Sequence, residues 1–158
     1  MEWDRLIRFG LLGNAHLESC AILLVRVALG LFFAISGGNK LFVAGRTKAM
    51  YETLVDAKIP FPLPMTYFVS AVELVCGCLL AVGLLSSLAC LALLVDMLVA
   101  ILTTAKFSVD PKGFSPLNWL DDFLYIPEVL YALFLVWLIC SGPGKFSLDY
   151  RIAARLVR

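Results

Sequence analysis

Histidine occurs once in these 158 residues, as His16, and charged side chains make up only 16% of the chain. A lone histidine excludes bis-histidine haem ligation. The five cysteines, Cys20, Cys76, Cys78, Cys90 and Cys140, contain no Cys-x-x-Cys pair, so no metal cluster of the Cys/His kind is expected. Scattered through apolar stretches and odd in number, they are no disulfide framework, and Cys76 and Cys78 are turned about 200° apart on a helix. They read as small apolar residues. There is no phosphate-cradling loop and no nucleophile elbow. The net charge of +1 includes no basic block that would attract nucleic acid. The opening MEWDRLIRFGLLGNAHLES lacks the sustained apolar core and small-residue cleavage site of a secretory signal.

What the chain has is apolar sequence. At 61% hydrophobic it lies well above the ~45–50% of a soluble domain, which marks an integral membrane protein. Four stretches are long enough at about 20 residues per span: approximately 21–40, 65–85, 88–106 and 123–141. The expected fold is all-α, a single membrane domain over 1–158 built as a four-helix bundle with antiparallel neighbours. Gly142-Pro143-Gly144 stops the last span. Trp119 and Trp137 fit the interfacial aromatics of its two ends.

The connections carry further expectations. Trp3, Leu6 and Ile7 share a helical face, which predicts a short interfacial helix before the first span. The first long connection predicts a surface helix, with Val43, Met50, Leu54 and Val55 toward lipid and Arg46, Lys48, Glu52 and Asp56 toward water. A five-residue turn, LLSSL, makes spans two and three neighbours. The third connection is a polar loop with turn signals at Asp110-Pro111 and Ser115-Pro116. The two longer connections lie on one side and together could cap the bundle. Lys and Arg residues are balanced between the two sides, so charge bias alone does not orient the chain.

Each span is interrupted by an ionisable residue: Arg26, Glu73, Asp96 and Glu128. Charges at membrane depth are costly and face the bundle interior, a partner or a pathway. Helical spacing puts Arg26, Gly30, Phe33, Gly37 and Lys40 on one stripe, and Ser70, Glu73 and Gly77 on another. Ala89, Ala92, Asp96, Ala100 and Thr103 form a third, and Leu124, Glu128, Tyr131 and Leu135 a fourth. Small residues beside the charges allow close helix packing.

At 1.5 Å per residue, Arg26 and Asp96 lie roughly 8 and 13 Å in from the side of the termini, whereas Glu73 and Glu128 lie roughly 12 and 9 Å in from the other. Two layers follow: an Arg26–Asp96 structural ion pair, and a polar pocket of Lys40, Glu73 and Glu128 with Tyr131 on the same face. The acid excess in this seam implies that at least one carboxyl holds a proton at neutral pH. The same residues also read as internal glue holding the bundle, and both readings stand at this point.

Four pieces in order, LLVRVALGLFFAISGGNK, VELVCGCLLAVGLL, the fourth-span glutamate and the closing GPGKFSLD, resemble the DoxX family of small bacterial membrane proteins over about residues 22–150. The resemblance implies a four-helix fold in the bacterial inner membrane with both termini cytoplasmic. It implies Arg26, Lys40, Glu73, Glu128, Ser147 and Asp149 as motif residues. It also implies a link to redox chemistry, because the family takes its name from a thiosulfate:quinone oxidoreductase subunit; fold alone does not assign that activity.

Physically, Gly142, Pro143 and Gly144 let the chain leave the helix, and Ser147 and Asp149 are expected to cap an amphipathic tail helix, DYRIAARLVR, whose arginines reach lipid phosphates. The first reading is a membrane subunit of an oxidoreductase system that binds quinone or anchors a redox partner. The alternative is a non-catalytic scaffold, a stress-response factor or a carrier of a small hydrophobic molecule. Membrane lipid is the certain partner of such a chain, and the glycine-rich faces of spans one and two offer dimer contacts as well.

Overall fold

The computed structural model of the chain describes residues 15–108 and 116–156. The expected N-terminal helix around Trp3, the Asp110-Pro111 turn and the last two tail residues lie outside them. Seven helices are present among the described residues: α1 Ala15–Phe42, α2 Ala44–Asp56, α3 Pro62–Val82, α4 Ser86–Ser108, α5 Pro116–Leu124, α6 Pro127–Ser141 and α7 Leu148–Leu156. Three of them, α1, α3 and α4, are long and apolar enough to cross a membrane by themselves. The bent pair α5 and α6, broken by 71°, passes the same test only when the two are taken together. The chain is a helical membrane bundle.

Its tightest contact joins α1 to α3. A Cβ placed on Gly30 would come within 2.5 Å of the Ala81 backbone nitrogen, and one on Gly37 within 2.5 Å of that of Leu74. Gly77 meets the backbone of α1 in the same way at Ala34. The glycine stripes that looked free for a dimer are thus consumed inside the chain, where bare backbone lets the two axes approach. Phe33, Leu80, Leu93 and Leu135, from α1, α3, α4 and α6, fill the centre with no exposed surface.

The boundary between spans two and three falls three residues earlier than the apolar pattern predicts. Gly83 takes a left-handed conformation (φ 75°), its N–H donates to Leu80 O at 3.1 Å, and Leu84 N–H reaches back to Leu79 O at 2.9 Å. That arrangement ends a helix and satisfies its last carbonyls. Only Gly83, Leu84 and Leu85 separate α3 from α4, so the turn is shorter than LLSSL.

The fourth span differs more. A continuous helix over 123–141 is not formed, because Pro127 forces Ile126 into an extended conformation (φ −70°, ψ 115°). With 15 residues, α6 is only about 22 Å long and falls short of the ~30 Å hydrocarbon core. Helix α5 precedes α6 at an angle, with Trp119 stacked on Phe123 at 5.2 Å.

The surface helix of the first connection is present as α2. Arg46, Lys48, Glu52 and Asp56 are exposed as expected, and Lys48 pairs with Glu52 at 3.7 Å. Leu54, however, is buried against the bundle rather than turned to lipid. A Thr47 hydroxyl donating to Lys40 O at 2.6 Å ties the start of α2 to the end of α1. The tail helix α7 forms with every described residue exposed or half-buried.

Candidate functional site

Two polar layers exist, but their membership differs from the one expected. At the end of the bundle that carries the α3–α4 turn, Arg26 is 2% exposed and makes no ion pair with Asp96. Its Nη1 donates to Leu80 O at 3.0 Å and Ala81 O at 3.2 Å, and its Nη2 donates to Phe146 O at 3.1 Å. The carbonyls in the last turn of α3 have no partner within their own helix and carry the negative end of its dipole. A guanidinium supplies several donors at fixed angles for such acceptors. Helical wheels compare side chains with side chains, so this backbone partner escaped them.

The closing GPGKFSLD segment folds onto the same turn. Asp149 accepts from the Leu85 N–H through Oδ1 and from the Ser86 N–H through Oδ2, each at 2.8 Å, and its own N–H donates to Gly83 O at 2.9 Å. Asp149 therefore caps the start of α4 rather than its own helix. Burial pushes its carboxyl up, but the amide donors of Ser86 and Leu85, helped by Arg26, outweigh that and hold it below the ordinary carboxylate range. Ser147 does cap α7, accepting from the Tyr150 N–H at 3.0 Å while its hydroxyl donates to Gly144 O at 2.7 Å. Gly142 and Gly144 both have φ of 76°, and Pro143 lies between them, which lets the chain leave α6 and reverse. Gly83 is the hinge of this assembly, since any side chain there would collide with Arg26 and Ser147.

Toward the other end lies the second layer. Lys40 Nζ donates to both oxygens of Glu73, at 2.6 and 2.7 Å, and Ser36 Oγ lies 3.4 Å from Glu73 Oε2. Glu73 is 3% exposed and Lys40 25%. Asp96 belongs here, lining the same cavity as Glu73. It sits near the middle of α4, so small differences in helix offset decide its layer, and α3 presents Glu73 to it while Arg26 is held elsewhere. Ser36 was overlooked in the sequence, although it precedes Lys40 by four and so shares its helix face.

These groups surround a cavity of about 190 Å³ lined by Lys40, Glu73, Asp96 and Glu128, with Thr103 at its side. Helix α2 roofs it through Met50, Thr53 and Leu54, so the first connection does cap the bundle. Asp96 Oδ2 and Glu128 Oε2 are buried without a hydrogen-bond partner. A second, apolar groove of about 400 Å³ runs down the outside between α3 and α4, lined by residues such as Phe68, Val72 and Val95. The two spaces share Leu54, Val69, Asp96 and Val99. Tyr131 does not line the cavity. Its ring packs on Phe32 at 4.6 Å and near Phe33 at 6.0 Å, an aromatic layer one turn away. Among the described residues, no group of three His, Cys, Asp or Glu side chains is arranged to hold a metal ion.

The family model for DoxX matches residues 21–106, which carry α1 to α4 and three of the four cavity residues. The chain belongs to the DoxX family. Within curated proteins the DoxX chain is similar to "Uncharacterized membrane protein Rv3486" of Mycobacterium tuberculosis, at 30% identity over 158 residues, 98% of this chain and 90% of the relative. No solved structure matches significantly. As a DoxX protein the chain is polytopic, and its helices place it in a membrane.

Proposed function

We propose that this DoxX protein binds a small lipophilic molecule inside the membrane, admitting it from the bilayer between α3 and α4. The observation that carries this reading is the junction at Asp96, where the apolar groove meets the polar cavity. Ligand sites are typically apolar pockets with a few polar groups that fix one end of the occupant. Here the groove takes an apolar body, and Glu73, Asp96 and Glu128 meet its polar end. The family's redox association supports a specific form of the reading, in which the chain is the membrane subunit of an oxidoreductase system in the bacterial inner membrane. In that form the occupant is a quinone and the electron-carrying centre sits on a partner subunit. The DoxX likeness also supports cytoplasmic termini, which would put Asp149 and α7 on that side.

Solvent extraction of protein purified in mild detergent tests the reading. A lipophilic molecule in near-stoichiometric amount is expected, a quinone if the redox form holds. It should be lost in Val69→Phe, which fills the junction, and in Glu73→Gln. Protein that carries only bulk lipid, with its lipid complement unchanged by either substitution, would instead support a packed scaffold.

A further inference from the structure

The cavity has an unequal charge set, and the inequality bears on the class of its occupant. Three carboxyl groups, Glu73, Asp96 and Glu128, share the space with one ammonium. Lys40 is already engaged by both oxygens of Glu73, so its charge is matched before Asp96 and Glu128 are counted. The oxygens left over, Asp96 Oδ2 and Glu128 Oε2, are buried and unpartnered. Buried polar atoms are normally hydrogen-bonded, and each exception needs a physical account. The account that fits an ionised carboxylate is an incoming donor. A neutral dione offers only acceptors and brings no charge. A cation with N–H groups brings both what the oxygens lack and what the charge balance lacks.

We infer that the occupant class is a lipophilic cation, an amine or aromatic ammonium whose apolar body lies in the α3–α4 groove and whose charged nitrogen sits between Asp96 and Glu128. This rests on the pocket reading above and parts from it over the quinone. The three carboxyls are not arranged to close on a metal ion, whereas an ammonium with several donors can bridge separated acceptors. The apolar lining of the groove suits the hydrocarbon part, which meets side chains as apolar as the lipid it leaves. Binding is linked to protons. A cation entering a site that otherwise holds protons displaces them, so affinity rises with pH. The charged groups facing Asp96 are Lys40 from α1, Glu73 from α3 and Glu128 from α6, while α2 contributes Met50, Thr53 and Leu54, none of which titrates.

The experiment uses the full chain in nanodiscs and two probes: ethidium, a permanent aromatic cation with amino donors followed by fluorescence polarisation, and a neutral short-chain benzoquinone followed by calorimetry. Ethidium's charge is fixed, so any pH dependence belongs to the protein. Saturable ethidium binding is expected, tightening as pH rises, and weakened about tenfold or more by Asp96→Asn. Val69→Phe should block it without changing any charge, which separates occlusion of the site from loss of its carboxylate. Ethidium binding that ignores both pH and Asp96→Asn overturns the inference. Saturable benzoquinone binding without ethidium binding overturns it while leaving the pocket reading intact. Binding of neither probe overturns both.

Discussion

At the turn end of the bundle, Arg26 and Asp149 finish on backbone groups: three carbonyls for the guanidinium and two amides for the carboxylate. Toward the opposite end, Lys40 and Glu73 satisfy each other, and a neighbouring Asp96 and Glu128 are left with open oxygens around a void. Both regions bury charge and bear its desolvation. They differ in what receives it. Backbone acceptors at a helix end are fixed in space by the helix itself, so a charge aimed at them gains a rigid partner and the region closes up. Carboxyls on three different helices have partners only as good as the helix spacing allows, and here the spacing leaves room. Charge spent on backbone partners at one end, with Arg26 Nε and Ser86 Oγ left over, reads as construction, and open carboxyl oxygens around a cavity at the other as capacity for a ligand.

Substitutions that neutralise one charge at a time separate the two regions. Replacing Arg26 with Met removes the side-chain donor from the carbonyls of Leu80, Ala81 and Phe146, of which Leu80 O keeps the Gly83 N–H, and should lower stability by about 3 kcal/mol, since hydrogen bonds from charged groups are the stronger kind. Denaturation of the purified protein in detergent reads this, and an unchanged midpoint would remove Arg26 from the clasp. Lys40→Met leaves Glu73 buried without its partner and should cost about 2 kcal/mol, most of it regained in the Lys40→Met/Glu73→Gln double variant. Purely additive losses in that cycle would show that the pair does not act as a unit.

Asp149→Ala removes two amide caps and should cost about 1 kcal/mol. Because the folded carboxyl of Asp149 lies below its ordinary value, its contribution is fully present above about pH 4 and fades as pH falls through the lower folded value. The acid limb of an unfolding-versus-pH curve should therefore be shallower in Asp149→Asn than in the parent. The smallest effect is expected at Asp96. Asp96→Asn should leave stability within about 0.5 kcal/mol while weakening cation binding about tenfold or more, because one of its oxygens has no partner to lose. A large destabilisation there would make the cavity end as structural as the turn end and dissolve the contrast.

Much of this was legible in the sequence, for identifiable reasons. The apolar runs and the α2 surface helix follow from composition and period, and Lys40 with Glu73 follows from depth and face together. What escaped follows from the limits of those signals. Arg26 has backbone partners, which a pattern of side chains does not display. Asp96 sits close to mid-span, where depth does not choose a layer, and its face was read without knowing which helix would stand opposite. Tyr131 shares a stripe with Glu128 yet lies one turn further along, and one turn is enough to exchange a polar cavity for an aromatic layer. The break at Ile126-Pro127 was visible as a proline but was overridden by the apolar run around it. Asp149 was assigned to the helix it belongs to, because capping patterns are local and this cap crosses 64 positions.

That cap also sets an order of events during synthesis. The hairpin of α3 and α4 is complete as a polymer well before Asp149 exists. At roughly 5–20 residues per second, the 64 positions from Leu85 to Asp149 take about 3 to 13 seconds to add. Through that interval the amides of Leu85 and Ser86 are served by water or lipid headgroups at the membrane surface, and the Phe146 carbonyl that holds Arg26 is likewise still to come. The turn between the second and third spans is finished only when the GPGKFSLD segment has left the ribosome and folded back.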